Sequence, residues 1–333
     1  ICKMTKQIVN GNTIPSIVRE AFRVSEEEKP GPVLLELPED IAAEKVELTD
    51  LIPPHERFYA VAGEQIIFKT ADLIKSSKKP LILLGAGANR KEARRAISDF
   101  INKTKIPFCN TQMGKGSVDE SSDYFLGTAA LSDKDYLHDY IRAADLIINI
   151  GHDVVEKPPF FMEHGGASVI HINYKSAQVD QVYFPQVEVI GDIALSMDAL
   201  ADCFALDTSF ALDKFFQVRE LVRNMTTASL EDASFPPKPQ HLVTQIRQSM
   251  GYHDIITLDN GVYKIWFARN YPAFQPNTIL LDNALATMGA GLPSAMTAAM
   301  LYPNRKVMAI CGDGGFMMNS QELETAVRLK LNL

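Results

Sequence analysis

The fold is decided by the stretch KVMAICGDGG, residues 306–315. An apolar strand over 306–311 runs into Gly-Asp-Gly-Gly, and a helix is predicted over 320–329. Asn319 and Glu322 have the spacing of a capping box, which predicts where that helix starts. Ligands of open α/β sheets bind beyond the carboxyl ends of the strands, so this loop lies where a ligand is expected.

The composition of the loop suits a phosphate group and a metal ion. Glycine lets the backbone approach a phosphate closely and point its N–H groups at it. The Asp313 carboxylate is a hard oxygen ligand of the kind that Mg²⁺ takes beside phosphate oxygens. A Gly-Asp-Gly tripeptide alone is more often a tight turn with an exposed Asp, so this interpretation depends on the rest of the chain.

Two further predicted strands end in loops that contain glycine. The strand 255–258 ends in the tripeptide DNG, 259–261, and the strand 278–281 precedes the loop ATMGAGLP, 286–293. Taken alone, Met288 is a core residue and these glycines are close-packing positions. A polyphosphate cofactor accounts for the three loops together better than three independent turns do.

The rest of the chain alternates short apolar strands with helices, a pattern typical of open, mostly parallel sheets. Further strands are predicted at 33–37, 80–84, 106–109, 146–150, 168–172 and 187–190. Helices are predicted at 14–24, 64–75, 192–204, 210–232, 241–250 and 289–300, and from the turn GAG, 85–87, through Phe100. The expected fold class is therefore α/β, with doubly wound parallel-sheet domains.

Two proline-containing segments divide these elements. Residues 45–62 and the run FPPKP at 235–239 are predicted to link compact regions. The division gives four parts, which are 1–48, 60–205, a helical linker over 206–239, and 240–333.

Composition argues against several classes of partner. The chain has 333 residues, of which 46% are hydrophobic and 22% charged, and its net charge is −8. An acidic chain without a basic block does not suit a nucleic acid or an anionic membrane. No apolar run approaches the roughly 18 residues of a membrane span, and the start of the chain lacks an apolar signal core. The four cysteines have no CxxC spacing, so free thiols in the cytoplasm are expected.

The order DNG…W, TMGAGLP, GDGGF and QELETAVRL resembles the diphosphate-binding domain of thiamine-diphosphate enzymes, and in particular acetolactate synthase large subunits. The run PGPVLLELPEDI, 30–41, resembles the end of that family's pyrimidine-binding domain. The segments GAG at 85–87 and VIGDI at 189–193 resemble its Rossmann-like central domain. The resemblance covers nearly the whole chain and is most specific over 255–333.

This resemblance gives each part of the chain an identity. It implies that 1–48 is the C-terminal part of the pyrimidine-binding domain and 60–205 the central domain. It implies that 240–333 is the N-terminal part of the diphosphate-binding domain, so that the sequence is a piece of a longer protein.

The resemblance also implies roles for the residues that match. Asp313 would be a magnesium ligand, and Gly314 and Gly315 would donate their amides to the diphosphate beside Gly312. The other side of the diphosphate would be lined by Gly261, Val262 and Tyr263.

Two residues would act as catalytic groups against the cofactor rings. The carbonyl of Ala286 would accept a hydrogen bond from the 4′-amino group, and Met288 would wedge between the two rings to hold them in a V. Many relatives carry His at the position of Tyr263. The family's second magnesium ligand, an Asn, would fall beyond Leu333, and its pyrimidine-activating Glu would precede residue 1, so these 333 residues alone are expected to be inactive.

The activity that the resemblance implies is the condensation of two pyruvates to 2-acetolactate with loss of CO₂. Thiamine diphosphate would be the electron sink for the acyl carbanion, with Mg²⁺ as its anchor. The implied protein is a cytoplasmic homodimer or homotetramer in branched-chain amino acid or acetoin metabolism. No residue identifies the acceptor, so another thiamine-diphosphate 2-oxoacid decarboxylase or an oxalyl-CoA decarboxylase is an alternative.

The GAG turn at 85–87 raises a second alternative. It resembles half a dinucleotide fingerprint but lacks the full GxGxxG spacing. Biosynthetic acetolactate synthases bind FAD in this region and the catabolic type does not. The segment QELETAVRL is nearer the catabolic relatives, so FAD is the less favoured cofactor here. A non-catalytic module that holds ADP, NAD or FAD is the alternative from a different class.

Three histidine positions have weaker interpretations. His152-Asp153 could be an acid–base pair but is more often a solvated turn, and His164 is predicted to lie in a loop. His171 and Asn173 could approach a nucleotide ribose, although an ordinary strand end is the more common reading.

Overall fold

The computed structural model describes most of the chain, namely residues 2–47, 59–129, 137–152, 156, 165–178, 183–205, 210–227, 232, 234–283 and 286–333. Most of the predicted linker 45–62 and part of the predicted helix 210–232 lie outside these residues. The chain divides into two compact units, Ile1–Ala60 and Val61–Leu333. In the described residues, no helix has both the length and the apolar character that a membrane crossing requires.

The first unit is built on a two-stranded parallel sheet. Strand β1, Met4–Gln7, pairs with β2, Val33–Glu36, and helix α1, Ile14–Glu26, connects them. A short helix α2, Glu39–Ala42, follows β2. The sequence predicted α1 and β2, whereas β1 was not predicted because MTKQ is too short and too polar to stand out.

The second unit begins with a six-stranded, wholly parallel sheet, in the order β5-β4-β3-β6-β7-β8. The strands are β3 Pro80–Leu84, β4 Phe108–Asn110, β5 Phe125–Thr128, β6 Leu146–Ile150, β7 Ser168–Asn173 and β8 Val187–Ile190. The order reverses between β3 and β6, which makes the sheet doubly wound and puts a switch point at that pair. The predicted α/β class with parallel sheets is confirmed.

Helices cover both faces of this sheet, as a buried parallel sheet requires. They are α3 Glu64–Ser76, α4 Lys91–Thr104, α5 Leu137–Ile141, α6 Ile193–Asp202 and α7 Asp213–Thr227. Ile82 and Leu84 of β3 pack with α3, α4 and α6, whereas Leu81 and Leu83 pack with α5 and α7. Successive residues of a strand point to opposite faces, so one apolar run serves two cores.

A second parallel sheet follows, with three strands in the order β10-β9-β11. Its elements are α8 Pro239–Ser249, β9 Ile255–Leu258, α9 Tyr263–Asn270, β10 Ile279–Leu281, α10 Gly291–Leu301, β11 Val307–Ile310, α11 Asp313–Met318 and α12 Glu322–Arg328. The predicted strands are all present within two residues of their predicted limits.

Two predictions at the end of the chain are wrong. The residues between Gly312 and the predicted helix at 320–329 were expected to form a loop, but helix α11 begins at Asp313, directly after Gly312. The predicted capping box of Asn319 and Glu322 does not form, because the Asn319 side chain donates to the carbonyl oxygen of Gly289 at 2.6 Å. The last helix, α12, accordingly starts at Glu322 without a side-chain cap.

A buried ion pair ties the six-stranded sheet to the loop before β10. Lys115 Nζ lies 2.8 Å from Glu120 Oε2, and these side chains are 2% and 1% exposed. Asn110 Nδ2 and the amides of Gly116 and Ala273 also donate to the Glu120 carboxylate, at 2.8, 3.3 and 2.9 Å. A buried charge is tolerated only when it is paired and hydrogen-bonded in this way.

We expect Glu120→Gln to lower the free energy of unfolding by about 3–5 kcal/mol, because it leaves the Lys115 ammonium buried without a counter-charge. Urea denaturation of the full-length protein, followed by far-UV circular dichroism, measures the change. The matched control is Asp99→Asn, which removes a carboxylate from an exposed pair with Arg95. Equal denaturation midpoints for the two variants would contradict the role given to Glu120.

Candidate functional site

The three predicted loops meet at one edge of the three-stranded sheet. Strand β9 is central, with β10 on one side and β11 on the other, and both pairs are parallel. The carboxyl ends of all three strands therefore lie together. This edge carries the loops 259–262 and 311–312 and the described part of the loop 286–290.

Asp259 is the residue that joins these loops, although no role was predicted for it. It is fully buried, at 0% exposed, directly after the central strand β9. Its carboxylate accepts from the amide of Asn260 at 2.6 Å and from the amide of Gly289 at 2.9 and 3.0 Å. The available signal was an acidic residue directly after a predicted strand.

The loop that contains Met288 has an unusual backbone. Ala286 has φ +48° and Gly289 has φ +88°, both in the left-handed region that non-glycine residues rarely adopt. Ala286 and Thr287 are exposed, and Met288 is 46% exposed. The conformation turns Met288 outward, whereas the residue taken alone was predicted to lie in the core.

Met288 lies against the GDGG segment. A Cβ placed on Gly314 would lie 3.3 Å from the terminal methyl carbon of Met288. A Cβ on Gly315 would lie 2.5 Å from Asp259 Oδ2, so only glycine fits there. The structure thus brings together Met288, Gly314 and Gly315, which the sequence predicted to share a site.

The hydroxyl of Tyr263 is already engaged at this edge. It accepts from the amide of Gly312 at 3.0 Å. Burial raises the pKa of the Tyr263 phenol, and the charge of Asp259 adds to the increase, so the hydroxyl stays protonated at neutral pH. A diphosphate oxygen that reaches the Gly312 amide has to replace this hydroxyl.

The exposed surface of the site matches the chemistry of a diphosphate cofactor. Asp313 and Gly314 are exposed, and α11 begins with them, so the first amides of that helix have no partner within it. Val262 is 75% exposed beside Gly261 and presents an apolar side chain. A carboxylate, unpaired amides and two apolar side chains at one edge suit a metal-bound diphosphate carried by an apolar ring system. Within the described residues, no group of three or more His, Cys, Asp or Glu side chains could hold a metal ion.

The GAG turn of the six-stranded sheet is filled by the protein itself. A Cβ on Gly85 would lie 2.5 Å from the Cα of His152, and one on Gly87 would lie 2.9 Å from the Cα of Gly151. The amide of Ala86 donates to both oxygens of the buried Glu156 carboxylate, at 3.0 and 3.1 Å. These glycines serve close backbone packing, and a carboxylate takes the amide that a phosphate would need.

The histidine positions belong to the interior of the same sheet. His171 is buried, and its ring nitrogens lie 2.8 Å from the Tyr183 hydroxyl and 3.0 Å from the Lys175 carbonyl oxygen. Asn173 donates to the carbonyl of His152 at 2.8 Å. These contacts support the ordinary strand-end interpretation of His171 and Asn173, whereas His152, predicted to lie in a solvated turn, is buried at 4% exposed. Asp153 and His164 lie outside the described residues.

Comparison with known proteins agrees with this geometry. Residues 67–200 match the family described as "Thiamine pyrophosphate enzyme, central domain". Residues 259–333 match "Thiamine pyrophosphate enzyme, C-terminal TPP binding domain", which contains every predicted site residue.

Relatives named as acetolactate synthases align along nearly the whole chain. The acetolactate synthase of Bacillus subtilis is 28% identical over 99% of this chain and 59% of its own length. The catabolic acetolactate synthase of Raoultella terrigena is 29% identical over 100% of this chain and 60% of its own length. A probable acetolactate synthase large subunit of Methanocaldococcus jannaschii is 30% identical over 98% of this chain and 57% of its own length.

The chain therefore spans a little under two thirds of the length of these relatives. It matches two successive domain families of one enzyme group, and the site residues fall in the domain that binds the cofactor. The α/β architecture with parallel sheets is the one that the resemblance implied. The chain belongs to the thiamine pyrophosphate enzymes and is acetolactate synthase-like.

Proposed function

We propose that this chain carries the diphosphate- and magnesium-binding site of an enzyme that condenses two pyruvates to 2-acetolactate with loss of CO₂. The observation that supports this most is the meeting of Met288, Asp313 and Gly314 at one exposed edge of the sheet. The names of the relatives support the choice of product.

The anchoring role falls to the segment after β11. Asp313 would be the magnesium ligand, and the amides of Gly314 and Gly315 would donate to the diphosphate. Gly312 and the residues Gly261, Val262 and Tyr263 would line its two sides. The exposed position of Asp313 and Gly314 supports this assignment.

The loop after β10 would orient the reactive rings. When bound, thiamine diphosphate supplies the electron sink for the carbanion that decarboxylation leaves. The carbonyl of Ala286 would accept from the 4′-amino group, and the exposed Met288 side chain would hold the two rings in a bent arrangement. The left-handed backbone at Ala286 supports a loop that is shaped for a specific contact.

The same proposal assigns the parts of the chain. Residues 1–48 would complete a pyrimidine-binding domain, 60–205 would form the central domain, 206–239 a helical linker, and 240–333 would begin the diphosphate-binding domain. A cytoplasmic homodimer or homotetramer acting on a 2-oxoacid is the assembly that we propose.

The filled GAG turn argues against a nucleotide in the central domain. Glu156 already occupies the amide of Ala86, and Gly85 and Gly87 are packed against backbone. This supports an enzyme without FAD, and it disfavours a non-catalytic module for ADP or NAD.

Product analysis of the full-length protein with pyruvate tests the proposed reaction. We expect 2-acetolactate and CO₂ in a 1:1 ratio, since two pyruvates lose one carboxyl group. A 2-oxoacid decarboxylase would release acetaldehyde instead. An oxalyl-CoA decarboxylase would leave pyruvate unchanged and release CO₂ from oxalyl-CoA. Either of these results would replace the acetolactate assignment.

We expect Asp313→Ala to weaken magnesium-dependent binding of thiamine diphosphate by about 100-fold, because even an outer partner of a metal ligand contributes about 10–100-fold. Calorimetry of the full-length protein with and without Mg²⁺ measures the loss. The control is Asp282→Ala, which removes an exposed carboxylate at the end of β10. Unchanged affinity in the Asp313 variant would exclude this residue as the ligand.

We expect Met288→Ala to slow proton–deuterium exchange at the thiazolium C2 of bound cofactor by about 100-fold, while affinity changes little. The reason is that a misplacement of about 1 Å can cost that much in rate. The matched control is Met317→Ala on α11, a methionine that is 69% exposed. Exchange at the wild-type rate in the Met288 variant would leave Met288 as a packing residue only.

A further inference from the structure

Gly289, the residue that follows Met288, is fixed at both of its backbone polar groups. The amide of Gly289 donates to the buried Asp259 carboxylate at 2.9 and 3.0 Å. The carbonyl oxygen of Gly289 accepts from Asn319 Nδ2 at 2.6 Å. A Cβ on Gly289 would lie 2.8 Å from that same Asn319 atom, so the close approach requires glycine.

The residue before Met288 is held from the same place. Asn260 Nδ2 donates to the carbonyl oxygen of Thr287 at 2.7 Å. Asn260 is itself oriented by its amide, which donates to Asp259 Oδ1 at 2.6 Å. The dipeptide 259–260 therefore fixes the backbone on both sides of Met288.

Asp259 also contacts the segment that carries the anchoring groups. Its Oδ2 lies 2.5 Å from where a Cβ of Gly315 would be, and its Cβ lies 2.9 Å from where one of Gly291 would be. Both glycines give the carboxylate room to lie beneath α11 and the start of α10. One side chain thus touches the loops that follow all three strands.

The burial of Asp259 separates it from the residues at the surface of the site. It is 0% exposed, whereas Asp313 is exposed. Each of its oxygens already accepts from a backbone amide, and such charge-assisted bonds hold geometry firmly. Its position suits a role in fixing other groups and not direct contact with a ligand.

We propose that Asp259 is a positioning residue that sets the place of Met288 relative to the Asp313–Gly315 segment. The inference rests on the proposed function, because Met288 matters only if it contacts the cofactor rings. Without the Asp259 carboxylate, the 286–289 loop loses its tie to β9 and the Met288 side chain moves from its place beside Gly314.

The test compares three variants of the full-length protein. Asp259→Ala removes both acceptors, and Asp259→Asn keeps one oxygen in the same place. Thr257→Val is the matched control, because it removes a buried bond of 2.8 Å to the carbonyl of Gly291 from the same strand. Hydrogen exchange of the cofactor-free protein over the peptide 286–291 is measured first, and C2 exchange of thiamine diphosphate with Mg²⁺ second.

We expect Asp259→Ala to speed amide exchange at Gly289 and to slow C2 exchange by about 100-fold. Asp259→Asn should restore both in part, and Thr257→Val should leave C2 exchange at the wild-type rate. Wild-type values for both measurements in Asp259→Ala would overturn the proposal, as would an equal loss of C2 exchange in Thr257→Val.

Two further arms keep the result decisive. If Asp259→Ala does not fold, Asn319→Ala replaces it, since that change releases the carbonyl of the same residue, Gly289, and a wild-type C2 rate would then overturn the proposal. A wild-type protein that exchanges C2 normally but makes no acetolactate would remove the proposed product and leave the positioning role intact.

Discussion

A fully buried carboxylate needs hydrogen-bond donors from the protein itself. The backbone of the site depends on which groups donate to Asp259. Here the partners are the backbone amides of Asn260 and Gly289, one next in the chain and the other thirty residues later. The requirement to satisfy this charge brings the loop after β10 to the end of β9. It also demands glycine at 315, where a side chain would collide with the carboxylate. One electrostatic requirement thereby determines the backbone of three separate segments.

Much of the fold could be predicted because most of its strands are short apolar runs. The limits of β3, β6 and β9 were read from the sequence without error. Strand β5 was missed because FLGT contains glycine and threonine, and because the residues that bury it are distant in the sequence. Helix α11 was missed because two glycines in its first turn disfavour a helix. In the folded protein, contact with Asp259 demands one of those glycines.

The residues of the candidate site could be predicted from the sequence more readily than the hydrogen bonds that hold its loops together. Motif order placed Met288 and Asp313 together, and the structure brings Met288 against Gly314. The roles of Asp259 and Asn319 could not be read in the same way, since each acts on Gly289 across thirty residues. Local rules gave Asn319 a capping role because its spacing to Glu322 fits one. In the folded protein the Asn319 side chain donates instead to the carbonyl of Gly289, which is distant in the sequence.

The ion pair of Lys115 and Glu120 has a consequence for how this chain comes apart. Glu120 accepts from Asn110 within the six-stranded sheet and from Ala273 before β10, so its carboxylate belongs to both sheets at once. Opening the region before β10 removes the Ala273 amide from the buried Glu120 carboxylate, so the two regions should melt as one cooperative block. A protease cut in the segment between α7 and α8 would therefore yield pieces that stay associated, because the Ala273 amide of one piece completes the hydrogen bonds of the buried Glu120 carboxylate in the other.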